Sequence, residues 1–281
     1  EILYVKAKES DDDKIKILMK LREILVINDD GIDSKGIKVL SEFMRKYGNV
    51  TVVAPKYPQS GKSASLTLDN PLILKKYSSS PATESLGEIH YYSLSGTPAD
   101  CAKMAINIHL NSGIKTDLLV SGINHGTNCS IASVYSGTLG AAAEATIYGI
   151  PALGLSLDDH SEDANFESTL HYADIIIKEY LNTPYKEGVY LNINVPNLPV
   201  EDIKGIKFAK QGRGQWIKEF DEYKDPKGHQ FFWMGGHFNN LTNDQDADHI
   251  ALHSGYVTIV PHKVDNTDYE EIERLKSLWN I

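Results

Sequence analysis

Two cysteines, Cys101 and Cys129, are all that this 281-residue chain carries, and they form neither a Cys-x-x-Cys pair nor a Cys/His zinc spacing. A cysteine-held metal centre and a disulfide framework are thereby disfavoured, and a reducing compartment, the cytoplasm, is expected. No apolar run reaches the ~20 residues that a membrane span needs, and residues 1–13 are charged, with no apolar core of a signal peptide. No Gly-x-Gly-x-x-Gly follows the first apolar run, which disfavours a dinucleotide cofactor, and no Gly-x-x-x-x-Gly-Lys-Ser/Thr offers a P-loop. A Gly-x-Ser-x-Gly elbow is missing, so serine-hydrolase chemistry has no anchor, and the ten histidines include no His-Glu-x-x-His pair. Basic charge is short as well: 28 Lys and Arg against 38 Asp and Glu leave a formal net charge of -10, the reverse of a general nucleic-acid binder.

What is present points elsewhere. At 41% hydrophobic and 23% charged, the composition is globular, and the length suits one large α/β domain with appendages. The most informative stretch is residues 24–31, Ile-Leu-Val-Ile-Asn-Asp-Asp-Gly, an unbroken apolar run that stops at two carboxylates and a glycine. A run without alternation reads as a strand buried on both faces of a parallel sheet. Ligands bind beyond the carboxyl ends of such strands, so Asp29 and Asp30 stand where a site belongs. Adjacent carboxylates repel unless a cation lies between them, and hard divalent cations prefer oxygen. Taken alone, the same residues suit a polar strand-to-helix turn equally well.

The rest of the chain alternates strand and helix. Ile37, Leu40, Met44 and Tyr47 follow helical spacing, with Gly48 as the stop; residues 50–54 read as a strand and 56–65 as a polar loop. Residues 91–94 form a strand, and Thr97-Pro98-Ala99-Asp100 offers a capped start for a helix over 99–110. A strand over 118–120 leads into a loop over 121–130, followed by an Ala-rich helix over 137–148, a strand from 152 to 156 and a helix over 166–181. Further strands are expected over 191–195 and 256–260, and an amphipathic helix over 269–279. This alternation implies an α/β fold with a doubly wound, mostly parallel sheet. Residues 211–240 lack periodicity and read as extended hairpins projecting from it. Trp216, Phe231, Phe232 and Trp233 are too many large rings for a solvated loop, which points to subunit contact, with a small local cluster as the plainer alternative. Met19 is a candidate natural start, with residues 1–18 an upstream extension; the mass of the native protein tests it.

Three loops follow three of the expected strands and carry Asp29-Asp30, Ser60-Gly61 and Gly122-Ile123-Asn124. A parallel sheet gathers such loops at one edge, so a cage of two carboxylates, a hydroxyl and an amide carbonyl is feasible. That donor set suits Mg2+, Mn2+ or Ca2+ rather than zinc or copper. Singly, Ser60 reads better as a turn residue and Asn124 as one tolerant of left-handed backbone. Tyr135-Ser136-Gly137-Thr138 opens the Ala-rich helix, whose free N–H groups and dipole attract phosphate, although most helices begin with a plain Ser or Thr cap. Lys62 could add positive charge there, although a lysine in a flexible loop is more often solvated, and His125 lies near the same place, although a lone loop histidine is usually at the surface.

Asn28-Asp29-Asp30-Gly31-Ile32, the Ser60-Gly61 loop, the run Ser121-Gly122-Ile123-Asn124-His125-Gly126-Thr127-Asn128 and the run Tyr135-Ser136-Gly137-Thr138-Leu139-Gly140-Ala141-Ala142 together resemble the SurE family of stationary-phase survival 5'-nucleotidases. The likeness extends through Gly96-Thr97-Pro98-Ala99-Asp100-Cys101, Asp225-Pro226-Lys227-Gly228, Phe232-Trp233-Met234-Gly235-Gly236 and Gly255-Tyr256-Val257. It spans residue 24 to about residue 261 and leaves 1–22 outside as an N-terminal extension; Thr242-Asn243-Asp244 departs slightly from an expected Thr-Asp. The resemblance implies one Rossmann-like domain over 23–281, with a catalytic core over about 23–200. A hairpin segment over about 210–240 and a C-terminal arm over 265–281 would exchange between subunits of a homodimer or homotetramer. It implies that Asp29, Asp30, Ser60 and Asn124 hold one divalent metal ion per subunit and that the two aspartates are catalytic. It also implies that Gly61, Asn128, Ser136, Gly137 and Thr138 receive the substrate and its phosphate. The substrate would be a nucleoside 5'-monophosphate, with 3'-nucleotides or short polyphosphate taken by some members, and no nucleic-acid or membrane partner is expected.

In the mechanism this implies, metal-activated water attacks phosphorus in line, helix N–H groups stabilise the equatorial oxygens, and either Asp29 or Asp30 orients the water. A haloacid-dehalogenase-like phosphatase is one rival, but its nucleophile position is filled by Asn28, which cannot form an aspartyl phosphate. A sensor that binds nucleotide without hydrolysing it is the other, and a phosphate-release assay separates the two.

Overall fold

The structure is a computed structural model and describes residues 22–279; the expected extension, apart from Arg22, and the candidate start Met19 lie outside the described residues. The chain runs β1 (Arg22–Ile27), α1 (Lys35–Met44), β2 (Gly48–Pro55), β3 (Leu74–Ser80), β4 (Ile89–Leu94), α2 (Pro98–Asn111) and β5 (Leu118–His125). It continues with α3 (Ala132–Tyr135), α4 (Gly137–Ile147), β6 (Ala152–Leu157), α5 (Glu167–Asn182), β7 (Val189–Val195) and β8 (Ile206–Phe208). Last come β9 (Gly214–Ile217), β10 (Phe220–Lys224), β11 (Gln230–Met234), β12 (His237–Asn240), α6 (Asp248–His253), β13 (Val257–Lys263) and α7 (Tyr269–Leu278).

Nine strands form one sheet in the order β3-β4-β2-β1-β5-β6-β7-β13-β8. The six from β4 to β7 are parallel, while β3 and β13 run antiparallel to β4 and β7. The apolar run of β1 explains its central place. Ile24 and Val26 join the core under α1 and α5, whereas Leu25 and Ile27 join the core under α2 and α4. Burying each such side chain contributes about 1.5–3 kcal/mol before entropy is counted. From β1 the chain winds outward through β2 and β4, then returns to lay β5 on the other side of β1. The strand order therefore reverses between β1 and β5, and the crevice beyond their carboxyl ends is the place where such sheets bind ligands.

Several boundaries differ from the sequence reading. Helix α1 closes at Met44, and Gly48 begins β2 instead of capping the helix. A Cβ there would lie 2.0 Å from the Arg22 carbonyl oxygen, so this glycine serves the close pairing of β1 and β2. The expected loop from 121 is strand as far as His125, with a register shift against β6 between Gly122 and Asn124. Such a bulge re-aims the side chains that follow it. Strands β3 and β8 and helices α3 and α6 had no sequence expectation.

The projecting hairpins are present as two nested ladders, β9 with β12 and, beyond them, β10 with β11. Their rings meet one another, Tyr223 stacking on Phe231 at 5.8 Å, yet remain open to solvent: Trp233 is 67% and Phe220 62% exposed. Among the described residues, no helix is long and apolar enough to cross a membrane.

Candidate active site

The residue after β1, Asn28, is fully buried and shapes the turn behind it. Its side-chain amide donates to the Gly31 carbonyl at 3.0 Å and to Ser34 Oγ at 2.8 Å, the residue that begins α1. Gly31 takes a left-handed φ of 95°, a conformation a side chain would strain, and Ile32 N–H donates to the Pro55 carbonyl at 2.9 Å. The turn thus presents Asp29 and Asp30 from a rigid base.

Each of the other three site segments is hydrogen-bonded to this pair. From the loop after β2, Gln59 N–H donates to the Asp29 carbonyl at 2.7 Å. From the first turn of α4, Thr138 Oγ1 donates to Asp29 Oδ1 at 2.6 Å. From the end of β5, the His125 backbone N–H approaches Asp30 Oδ2 at 3.4 Å, and its ring Nδ1 lies equally far from the same oxygen. Packing is close enough that a Cβ on Gly137 would sit 2.9 Å from the Asp29 Cβ.

The electrostatics fit a cation. Burial, and after it the charge of Asp30, lifts the Asp29 carboxyl to about 6, with the Thr138 hydroxyl holding it back. Burial also raises Asp30, against the pull of His125. Two crowded, desolvated carboxylates gain most from a hard divalent ion placed between them. Among the described residues, no three His, Cys, Asp or Glu side chains converge as metal ligands, so any ion here depends on neutral oxygens to complete its shell. Asn124 is suited to that: its Nδ2 donates to the Gly126 carbonyl at 2.7 Å, and its Oδ1 accepts no hydrogen bond among the described residues. Ser60 is exposed on the loop tethered by Gln59, beside Gly61 in left-handed backbone with open space around it.

Ser136 caps α4, its Oγ accepting from Leu139 N–H at 3.1 Å, while the N–H groups of Gly137 and Thr138 donate to nothing else among the described residues. These two N–H groups, at a helix start, form a ready anion cradle. The hydroxyls of Ser136 and Thr138 are engaged in the cap and on Asp29, so the cradle is made by main chain. Asn128 lies deeper. It donates from Nδ2 to Ser156 Oγ at 2.8 Å and from its N–H to Asn194 Oδ1 at 2.8 Å, and its carbonyl accepts from Asn192 Nδ2 at 2.8 Å. All four residues are buried, and the network fastens the loop after β5 to β6 and β7.

Some residues around the site carry no assigned role in the sequence. His125, read as solvated, sits against Asp30 and edge-on to Phe166 at 5.2 Å. The His160 ring covers Gly126, where a Cβ would be 2.0 Å from it. Asp244 is exposed, whereas Asp248 is fully buried and accepts from the N–H groups of Ser130 at 2.8 Å and Gly212 at 3.0 Å, tying the site loop to the base of the hairpins.

A family model described as Survival protein SurE matches residues 24–218. The 5'-nucleotidase SurE of Christiangramia forsetii is 44% identical over 258 residues, covering 92% of this chain and 96% of its own. The 5'-nucleotidase SurE of Flavobacterium psychrophilum is 43% identical over 258 residues, covering 92% and 97%. The crystal structure of the SurE protein from Aquifex aeolicus matches with a TM-score of 0.75 at 36% identity, covering 91% of this chain and 99% of that one.

Proposed function

The chain belongs to the SurE family, and on that premise we propose that it is a phosphomonoesterase acting on nucleoside 5'-monophosphates, with one Mg2+, Mn2+ or Ca2+ ion held by Asp29, Asp30, Ser60 and Asn124. The observation that carries this reading is the convergence of three separate segments, the loop after β2, the end of β5 and the first turn of α4, on one aspartate pair at the point where the strand order reverses. A bound divalent ion would supply Lewis-acid polarisation of the phosphoryl oxygens and a water of lowered pKa. The N–H groups of Gly137 and Thr138 receive the phosphoryl oxygens and stabilise the charge that builds on them. Thr138 fixes one oxygen of Asp29, while Asp30, the more open of the two and beside His125, orients the attacking water. Gly61 leaves room for the substrate at the rim, and Asn128 acts by holding its loop in place. Asn28, an amide committed to its own turn, removes the aspartyl-phosphate route of the dehalogenase-like rival.

We also assign subunit contact in a homodimer or homotetramer to the hairpin segment and to α7, which buries none of its residues against its own chain. Residues 23–281 then form one domain with these two appendages. Two unpaired, buried cysteines support a cytoplasmic setting.

Phosphate release from nucleoside 5'- and 3'-monophosphates and short polyphosphate, with Mg2+ or Mn2+ added, tests the activity. Asp30→Asn is expected to abolish both turnover and the rise in Tm on adding metal, since an ion that binds only the folded state stabilises it. Near-wild-type activity in Asp30→Asn would refute the site. Tight nucleotide binding without any release would favour the sensor.

A further inference from the structure

The proposed pocket is short of positive charge. Two aspartates and one divalent ion cancel, whereas a phosphate monoester brings about 1.5 to 2 negative charges at neutral pH. The lysines near the site are mostly engaged: Lys35 donates to the carbonyls of Asp163 and Ala164 at 3.3 and 2.7 Å, and Lys56 lies over the Tyr57 ring at 4.7 Å. Lys62 is exposed, and its ammonium has no ion pair or hydrogen bond among the described residues.

Its main chain, in contrast, is fixed. The Lys62 carbonyl accepts from Ser65 N–H at 3.1 Å, and the next residue, Ser63, is anchored twice: its N–H to the Tyr135 carbonyl at 3.0 Å and its Oγ to the Val134 carbonyl at 2.8 Å. Gly61 and Ser63 both hold left-handed backbone, at φ 73° and 52°, so Lys62 lies between two turning points. A Cβ on Gly140 would lie 2.3 Å from the Ser63 carbonyl oxygen, so this loop rests directly on the first turn of α4. Lys62 is thus one residue from contact with the helix start that offers the free N–H groups of Gly137 and Thr138. The four-carbon stem of a lysine is long and flexible enough to cross that gap.

Resting on the nucleotidase reading, we propose that Lys62 is a catalytic residue that contacts the substrate's phosphoryl group, its ammonium pairing with an oxygen that the α4 N–H groups leave uncovered. Ser60 and Lys62 would then serve the metal and the phosphate from the two neighbours of Gly61.

The test uses the full-length protein with Mg2+, and compares Lys62→Gln and Lys62→Arg with wild type against adenosine monophosphate, orthophosphate and adenosine. A lost charge-assisted contact is expected to raise KM for the nucleotide and Ki for orthophosphate about tenfold in Lys62→Gln, while Lys62→Arg stays within about threefold. Adenosine, which has no phosphate, is expected to bind all three proteins alike. Orthophosphate affinity within about twofold of wild type in Lys62→Gln overturns the proposal. Parallel weakening of adenosine and orthophosphate overturns it too, because that is the signature of a collapsed loop. Calorimetric titration with orthophosphate reads the same contact without turnover. It therefore judges Lys62 even where the wild type releases no phosphate from nucleotides, an outcome that would sink the nucleotidase reading instead.

Discussion

At the scale of single residues, buried polar groups carry consequences that their sequence neighbours hide. His109 lies in α2 with Nδ1 2.8 Å from Thr116 Oγ1 and Nε2 3.1 Å from Thr51 Oγ1. Burial pushes its imidazole down to about 4 from the usual 6.5, with Asp117 opposing only in part. A depressed histidine pKa means that the folded state keeps the ring neutral. Its contribution to stability is therefore complete above the unfolded value of 6.5 and is lost as pH falls through about 4. The whole shift corresponds to roughly 3 kcal/mol. Between about pH 7 and pH 4.5, calorimetry is expected to show wild-type Tm falling roughly 5 °C further than that of His109→Gln. Equal falls would contradict this assignment. Nothing in the local sequence marks His109, because the threonines that satisfy it come from β2 and from the turn after α2. Asp29 and Asp30 were legible for the opposite reason: both the end of an apolar run and the carboxylates that follow it are local features.

At the scale of elements, close backbone approach decides what can be exchanged. Gly140 lets α4 meet the loop that carries Ser60 and Lys62, and its missing Cβ leaves room for the Ser63 carbonyl. Gly140→Ala is expected to cost about 1–3 kcal/mol of stability, as overpacking does, and to weaken metal-induced stabilisation, because the loop must retreat from the site. Chemical denaturation with and without Mn2+ measures both, and an unchanged midpoint would show that the loop yields freely. Elements with a buried stripe or a cap were legible: α2 begins at the expected Thr97 with a complete capping box, and β1 and β6 fall where their apolar runs lie. Strand β3, Leu-Lys-Lys-Tyr-Ser-Ser-Ser, was not, because it is an almost wholly exposed edge held by pairing to β4, and no side-chain pattern records that. The extension of β5 to His125 has no side-chain signature for a related reason, since Ser-Gly-Ile-Asn has the composition of a loop and only its pairing with β1 and β6 makes it strand. Asp248 was unreadable because its partners lie 118 and 36 positions away along the chain.

At the scale of the whole molecule, the aromatic ladders extend from a sheet whose core they do not share. If another copy covers them, Trp233→Lys is expected to shift the assembly toward smaller species in sedimentation, at a cost on the order of 2 kcal/mol per site for a buried interface anchor. Metal-induced stabilisation should survive in the dissociated form, since the aspartate pair and its loops lie within one chain; an unchanged sedimentation profile would remove Trp233 from the interface. The edge of the sheet that carries Asp29 has a different kind of dependence. Thr138 and Asp29 touch across 109 positions of sequence, and β5 must settle beside β1 before they can meet. During synthesis the acidic turn leaves the ribosome long before residues 118–140 exist to close over it. A nascent chain therefore carries the two acids without the Thr138 hydroxyl and the His125 ring that meet them, and on the proposed reading a product truncated ahead of β5 is expected to release no phosphate.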